Sequence, residues 1–248
     1  MGLCPVCLQP VTAKCGTRRI WHWAHRTERI CDRWWEQETE WHRTWKNKFP
    51  PEWQESIKYD EQSGEKHIAD VRTNHDLVIE FQHSHLDPQE RAAREHFYKN
   101  MVWVVDGTRL KRNYPRFLNG KSHFMTQVKK GVFLLGYPEK FFPADWLESS
   151  VPVVFDFRGI AQTDSPDRTC EPLWCLVPGR AEGHAVVIEI TSTGFVERSS
   201  SRNQLLPAQD VVSWCAEHIR QQRGKDLMEL VTEIEIKMQL LRRLSGRF

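Results

Sequence analysis

No apolar run in this chain approaches the roughly 18 residues of a membrane-spanning helix, so no span is expected. The N-terminus lacks a basic stretch followed by an apolar one, and residue 6 is Val where a myristoylation start carries Ser or Thr. Neither export nor a lipid anchor is expected, which places the protein in the cytoplasm. An even set of cysteines is missing too. Seven thiols without a leader suit a reducing compartment better than a disulfide framework. Net charge is almost absent: 35 basic against 33 acidic side chains leave +2, a total that identifies no partner. What remains is an ordinary composition, 40% hydrophobic and 27% charged, in 248 residues, enough for one large domain or two small ones.

The distribution is more informative than the totals. Residues 1–50 hold nine Lys/Arg against five Asp/Glu, and seven of the eleven Trp fall within the first 53 residues. Basic side chains interleaved with aromatics suit a surface that tracks a nucleic-acid backbone and stacks on bases. For the Trp at helical spacing, a place in the core is the simpler reading. Four of the cysteines lie in the first 31 residues. Cys4-Pro-Val-Cys7, then His22-Trp-Ala-His25, then Cys31 form an inventory of thiolate and imidazole that matches a tetrahedral Zn²⁺ site. The favoured set is Cys4, Cys7, His25 and Cys31, with His22 or Cys15 as substitutes. A redox Cys-x-x-Cys should open a helix after a strand, whereas Gln9-Pro10 follows here.

Residues 34–49, WWEQETEWHRTWKNKF, read as a helix of about four turns ended by Pro50-Pro51. At 100° per residue Trp34, Glu38, Trp41, His42, Trp45 and Phe49 share one face, with Glu40 nearly opposite Glu38 and Lys46 at the margin. A carboxylate among tryptophans is costly unless paired or bound to metal, so Glu38 is the functional candidate rather than Glu40. The plainer reading of Glu38 with His42 is a satisfied core hydrogen bond.

The stretch from His67 to Ser84 carries the candidate site. IADV reads as a strand, Asn74-His75-Asp76 as a turn, and LVIEFQ as a second strand with apolar residues on both faces, as in the middle of a sheet. Alternation puts Glu80 and Gln82 on one face with Val78, and Ile79 and Phe81 on the other. If the strands pair as a hairpin, Asp70 reaches the same end, giving two oxygen ligands for Mg²⁺ or Mn²⁺. Asp87, Pro88 and Glu90 mark a helix start; that helix runs to about Lys99, and Met101 to Val105 is a strand closed by Asp106-Gly107. With Trp53–Tyr59 read as a strand ahead of this hairpin, the order is α-β-β-β-α-β, a mixed α/β sheet with helices on its faces.

This ordered set (Trp21-His22-Trp23-Ala24-His25, then Glu38, His42 and Lys46, HIADV, VIEFQHS, Arg94-Glu95 with Phe97-Tyr98, and VWVVDG) resembles the CoiA-like competence protein family over about residues 4–107. The core of that family is similar to the PD-(D/E)XK nuclease superfamily. The resemblance implies a restriction-endonuclease-like core behind a zinc knuckle, with Asp70 and Glu80 as metal-binding acids and Glu38 as the acid of the first helix. Gln82 stands at the position of the usual catalytic lysine, as in other E-x-Q members. A neutral amide orients water but supplies no positive charge, a task left to His42, Lys46 or the metal.

Residues 1–33 thus read as a zinc knuckle, 34–107 as a nuclease-like core and 108–248 as a region of unnamed role. In the last, Gly131–Tyr137 and Val151–Phe157 read as strands, and Leu173–Val177, Ala185–Ile190 and Gly194–Val196 as a β-meander. Ala208–Gln222 and Lys225–Leu244 read as two helices parted at Gly224, the second with a stripe suited to a homodimer or a partner. The expectation is a metal-dependent nuclease acting on nucleic acid, DNA before RNA, in competence or in defence against foreign DNA. The rival is a non-catalytic zinc-containing binding module.

Overall fold

The computed structural model describes residues 2–4, 8–16, 22–26, 34, 38–59, 65–157 and 172–245. Two sheets organise them. β1 (Gly2–Leu3), β2 (Pro10–Lys14) and β3 (His22–His25) make a small antiparallel sheet. The chain continues through α1 (Glu40–Lys46), β4 (Gln54–Tyr59), β5 (Lys66–Arg72), β6 (Val78–Gln82), α2 (Pro88–Tyr98), β7 (Met101–Asp106), α3 (Asn113–Phe124), β8 (Met125–Lys129) and β9 (Val132–Leu135). It then forms β10 (Val153–Asp156), β11 (Pro172–Ala181), β12 (His184–Thr191), α4 (Ser192–Ser201) and α5 (Ala208–Ser245). Strands β4 to β12 form one nine-stranded mixed sheet in the order β4-β5-β6-β7-β10-β11-β12-β9-β8.

The sequence of β6 explains its place. Val-Ile-Glu-Phe-Gln is buried at every position, and β7 runs parallel to it, as a strand covered on both faces requires. Ile79 and Phe81 pack with Trp41 and Trp45 of α1 and with Phe195 of α4, whereas Val78 packs with Trp103 and with Tyr98 of α2. α1, α4 and the first half of α5 therefore cover one face of the sheet, and α2 and α3 cover the other. The parallel step from β6 to β7 needs a crossover, which α2 supplies. Asp87 starts α2 as its N-cap, accepting from the N–H groups of Gln89 and Glu90. Gly107 ends β7 where a Cβ would lie 2.4 Å from the Phe157 ring.

Several elements differ from their sequence reading. The first helix occupies Glu40–Lys46 rather than 34–49, because Thr39 caps it: Thr39 Oγ1 accepts from His42 N–H, and His42 Nδ1 faces Thr39 N–H in return. Gly194–Val196 is not a strand but part of α4, which starts where Thr191 Oγ1 accepts from Gly194 N–H and which buries Phe195. The last two helices are one continuous α5 with Gly224 inside it; a glycine costs a helix interior only about 1 kcal/mol relative to alanine and need not break it. α3 and β8 occupy a stretch to which the sequence reading assigned no element. The large sheet also runs across the division placed at residue 107, since β10 pairs in parallel with β7.

Candidate active site

The site is built at a fork between two strands. β5 and β6 pair at Val71↔Ile79 and Arg72↔Val78, next to a turn in which Thr73 N–H donates to Leu77 O. Beyond Val71 the regular ladder stops and side chains take its place. Asp70 N–H donates to Glu80 Oε1 at 3.2 Å, and Phe81 N–H donates to Asp70 Oδ2 at 2.9 Å. Each carboxylate thus satisfies a main-chain donor of the opposite strand, which orients both acids at little cost in unpaired backbone. Asp70 keeps 25% of its side chain exposed, whereas Glu80 keeps 6%.

A cation enters the fork from each face of the sheet. From α1, the nearly buried Lys46 ammonium lies 3.0 Å from Glu38 Oε1 and 3.9 Å from Asp70 Oδ1, and it also contacts Glu55 Oε1. Glu55, on the strand next to β5, has φ of 51°, so backbone strain coincides with this contact. Glu38 precedes the N-cap of α1, so it reaches the site from the lead-in to the helix rather than from the helical face, and Arg43 Nε joins it at 3.1 Å. Burial pushes the Glu38 carboxyl up, but the Lys46 ammonium and the Arg43 guanidinium outweigh it and leave the group below its ordinary range. Glu40 is exposed.

From α2, Arg94 Nη1 donates to Glu80 Oε2 at 3.3 Å, while its Nη2 donates to Glu90 Oε1 at 2.5 Å and to Trp34 O at 2.8 Å. Its guanidinium also lies over the rings of Trp34 and Trp103. Gln82 lies two residues beyond Glu80 on the same strand and is 2% exposed, and its Nε2 donates to Ser84 Oγ at 3.1 Å. His42 is placed differently. Its Nε2–H donates to Phe81 O at 2.6 Å, and Nδ1 lies 3.0 Å from Thr39 Oγ1, so both ring nitrogens are engaged in clamping the start of α1 to β6.

At the N-terminus, Cys4 is buried with Val11 against Ile57 and Ile68, which seats the small sheet on the β4–β5 hairpin. Leu8 N–H donates to Cys4 O and Cys4 N–H to Gln9 O, both at 2.9 Å. His25 stands opposite Val11, and His22 opposite Lys14. Cys7 and Cys31 lie outside the described residues, Cys15 is exposed, and no group of three or more His, Cys, Asp or Glu suited to a metal is present among the described residues. Residues 3–33 match the family model of the competence protein CoiA, N-terminal domain. The match supports the CoiA-like family. Neither the curated proteins nor the solved structures yield a match. The CoiA-like segment contains all four favoured zinc ligands and stops short of α1.

Beyond the CoiA-like segment, the sequence reading gave no role to Glu55, and it counted Arg94-Glu95 toward the resemblance without assigning either a place in the site. The signal for Arg94 lay in α2, whose buried stripe is Arg91, Arg94, Glu95 and Tyr98 instead of aliphatic residues. Such a stripe requires charge partners inside the protein. Glu95 takes a structural share of it: its carboxylate accepts from Arg91, the Trp103 indole, Ser149 and Ser150. Asp156 was missed for another reason, since the Trp41 and Trp45 indoles that donate to it, each at 3.1 Å, lie more than a hundred residues away in sequence.

Proposed function

We propose that the chain is a metal-dependent nuclease that hydrolyses phosphodiester bonds, DNA rather than RNA, in the handling of foreign DNA. The observation that carries this reading is the fork: Asp70 and Glu80 held by each other's strands, with Lys46 at its side. The order α1-β4-β5-β6-α2-β7 supports a PD-(D/E)XK-like core. The donor set fits Mg²⁺ or Mn²⁺, since such ions take one or two carboxylates and complete their shell with water and substrate phosphate. Asp70 and Glu80 are the two residues that would hold the ion. When bound, it would polarise the phosphate and lower the pKa of the attacking water.

The chain's own residues supply the rest. Lys46 offsets negative charge on the phosphoryl group, the task that Gln82 cannot perform, and Glu38 holds Lys46 toward Asp70. Gln82 orients the water through its amide. Water oxygen bonds to phosphorus as the ester P–O bond breaks, and a proton passes to the leaving oxygen. A structural Zn²⁺ on Cys4, Cys7, His25 and Cys31 would order the basic, Trp-rich N-terminus that grips the substrate backbone. A second reading, a non-catalytic nucleic-acid-binding module, draws on one specific observation: Arg94 already neutralises Glu80. Gel-resolved incubation with single- and double-stranded DNA and RNA, each with Mg²⁺, Mn²⁺ or chelator, separates the two. Metal-dependent cleavage supports the nuclease; tight binding with no cleavage under any metal supports the module.

A further inference from the structure

α5 is a helix of two halves with different surroundings. Its first half belongs to the core: Val212 and Cys215 are buried, with Val211, Ala216 and Ile219 packed beside them. Arg220 and Arg223 then reach Glu182, at 3.0 and 3.7 Å. Past Arg223, no hydrogen bond or ion pair joins α5 to another element among the described residues. The helix nevertheless continues to Ser245. At 1.5 Å per residue, residues 224–245 extend for about 33 Å. An isolated helix of that length is marginal in water, and most helical stability comes from burial of an apolar face.

Among the described side chains of this segment, an apolar face is exposed. Met228, Val231 and Ile234 are 65%, 41% and 48% exposed. At 100° per residue they span an arc of about 120°, and the sequence stripe continues through Met238 and Leu241 in steps of four and three. Charge along the same segment is segregated. Asp226, Glu229, Glu233 and Glu235 are its acids, with Lys225 the one base before them, and Lys237, Arg242 and Arg243 follow with no acid among residues 236–245. Parallel pairing of two such helices sets acid against acid and base against base; antiparallel pairing sets each acidic half against a basic half. We infer that residues 224–245 form an antiparallel two-helix contact with the same segment of a second copy of this chain. The contact is isologous and closes on itself, so it gives dimers and not fibres. The stripe from 228 to 241 is short by coiled-coil standards, so the dimer dissociates on dilution.

Sedimentation velocity of the full chain over a wide concentration range tests this. The expected result is a concentration-dependent species of twice the 29.3 kDa chain mass. The pair Val231→Glu and Ile234→Glu, which keeps good helix formers in place, should give a monomer with unchanged melting of the core. Charge reversal reads the orientation. Glu229→Lys, Glu233→Lys and Glu235→Lys together should weaken the dimer at least tenfold, and adding Lys237→Glu, Arg242→Glu and Arg243→Glu should restore it. A monomer at every concentration, a dimer indifferent to Val231→Glu and Ile234→Glu, or one indifferent to the charge reversal would each overturn the proposal.

Discussion

Arg94→Met probes the electrostatics of the fork most sharply, because it removes a charge while leaving an unbranched side chain in the slot beside Trp34 and Trp103. The Arg94 and Glu80 side chains are 5% and 6% exposed, so this is a buried pair and not a surface one. Removing one partner of such a pair costs about 3–5 kcal/mol, since the other charge stays buried without compensation. Glu80 still accepts from Asp70 N–H, which puts the expected cost near the lower end, about 3 kcal/mol. For a chain of this size that lowers the melting midpoint by roughly 6–12 °C. The double variant Glu80→Gln, Arg94→Met removes the stranded buried charge, leaving only the partly exposed Glu90 without its guanidinium, and should be more stable than Arg94→Met alone. Thermal and urea unfolding in chelator measure all three proteins. Mg²⁺, by binding at Asp70 and Glu80, should then raise the midpoint of Arg94→Met more than that of the unsubstituted chain. A single-variant cost below about 1 kcal/mol, the range of exposed pairs, would refute the reasoning, as would a double variant no better than the single.

Glu38→Gln should lower cleavage far more than Glu40→Gln, because Glu38 pairs with Lys46 and Glu40 does not; equal losses in a gel assay would remove Glu38 from the site. The depressed ionisation of Glu38 adds a pH signature. A carboxyl held below its ordinary range stabilises the fold above that range and loses the contribution as pH falls through the depressed value, so the stability gap between the chain and Glu38→Gln should close on acidification below the ordinary glutamate range. A gap unchanged down to pH 2 would contradict the pairing. Cys175 is fully buried, and burial pushes its thiol up to about 12, so a maleimide at pH 8 should leave it unlabelled until the chain unfolds; native labelling, read by peptide mass, would contradict its place in the core. Cys4→Ser or Cys31→Ser should each lose about one equivalent of zinc by elemental analysis and destabilise the N-terminal segment, and a well-folded unsubstituted protein with no zinc would sink the knuckle.

The hairpin was legible because its signals are local. Alternation along LVIEFQ and the Asn74-His75-Asp76 turn fix which side chains share a face, and Asp70 and Glu80 meet across that hairpin. The mixed α/β class, with helices on a large sheet, followed from the same periodicities. Other features depend on partners distant in sequence, and periodicity does not report those. Lys46 read as marginal to its helix face until β4 and β5 brought Glu55 and Asp70 to it. Arg94 is buried only because Glu80, Glu90 and Trp34 converge on it. The start of α1 was misplaced because a local cap, Thr39 with His42, outweighed the aromatic spacing that runs back to Trp34. Nor does sequence separation show that β10 would seat itself between β7 and β11 and extend the sheet to nine strands.

The most direct measurement compares cleavage by the unsubstituted chain, Asp70→Ala and Glu80→Ala, each with circular dichroism confirming the fold, in Mg²⁺, Mn²⁺ and chelator. Both side chains act on metal in this account, and their loss removes ligands rather than core volume. The expected result is metal-dependent cleavage by the unsubstituted chain, abolished in both variants, with nucleic-acid binding retained. Two folded variants that cut at the normal rate would contradict the placement of the active site at this fork.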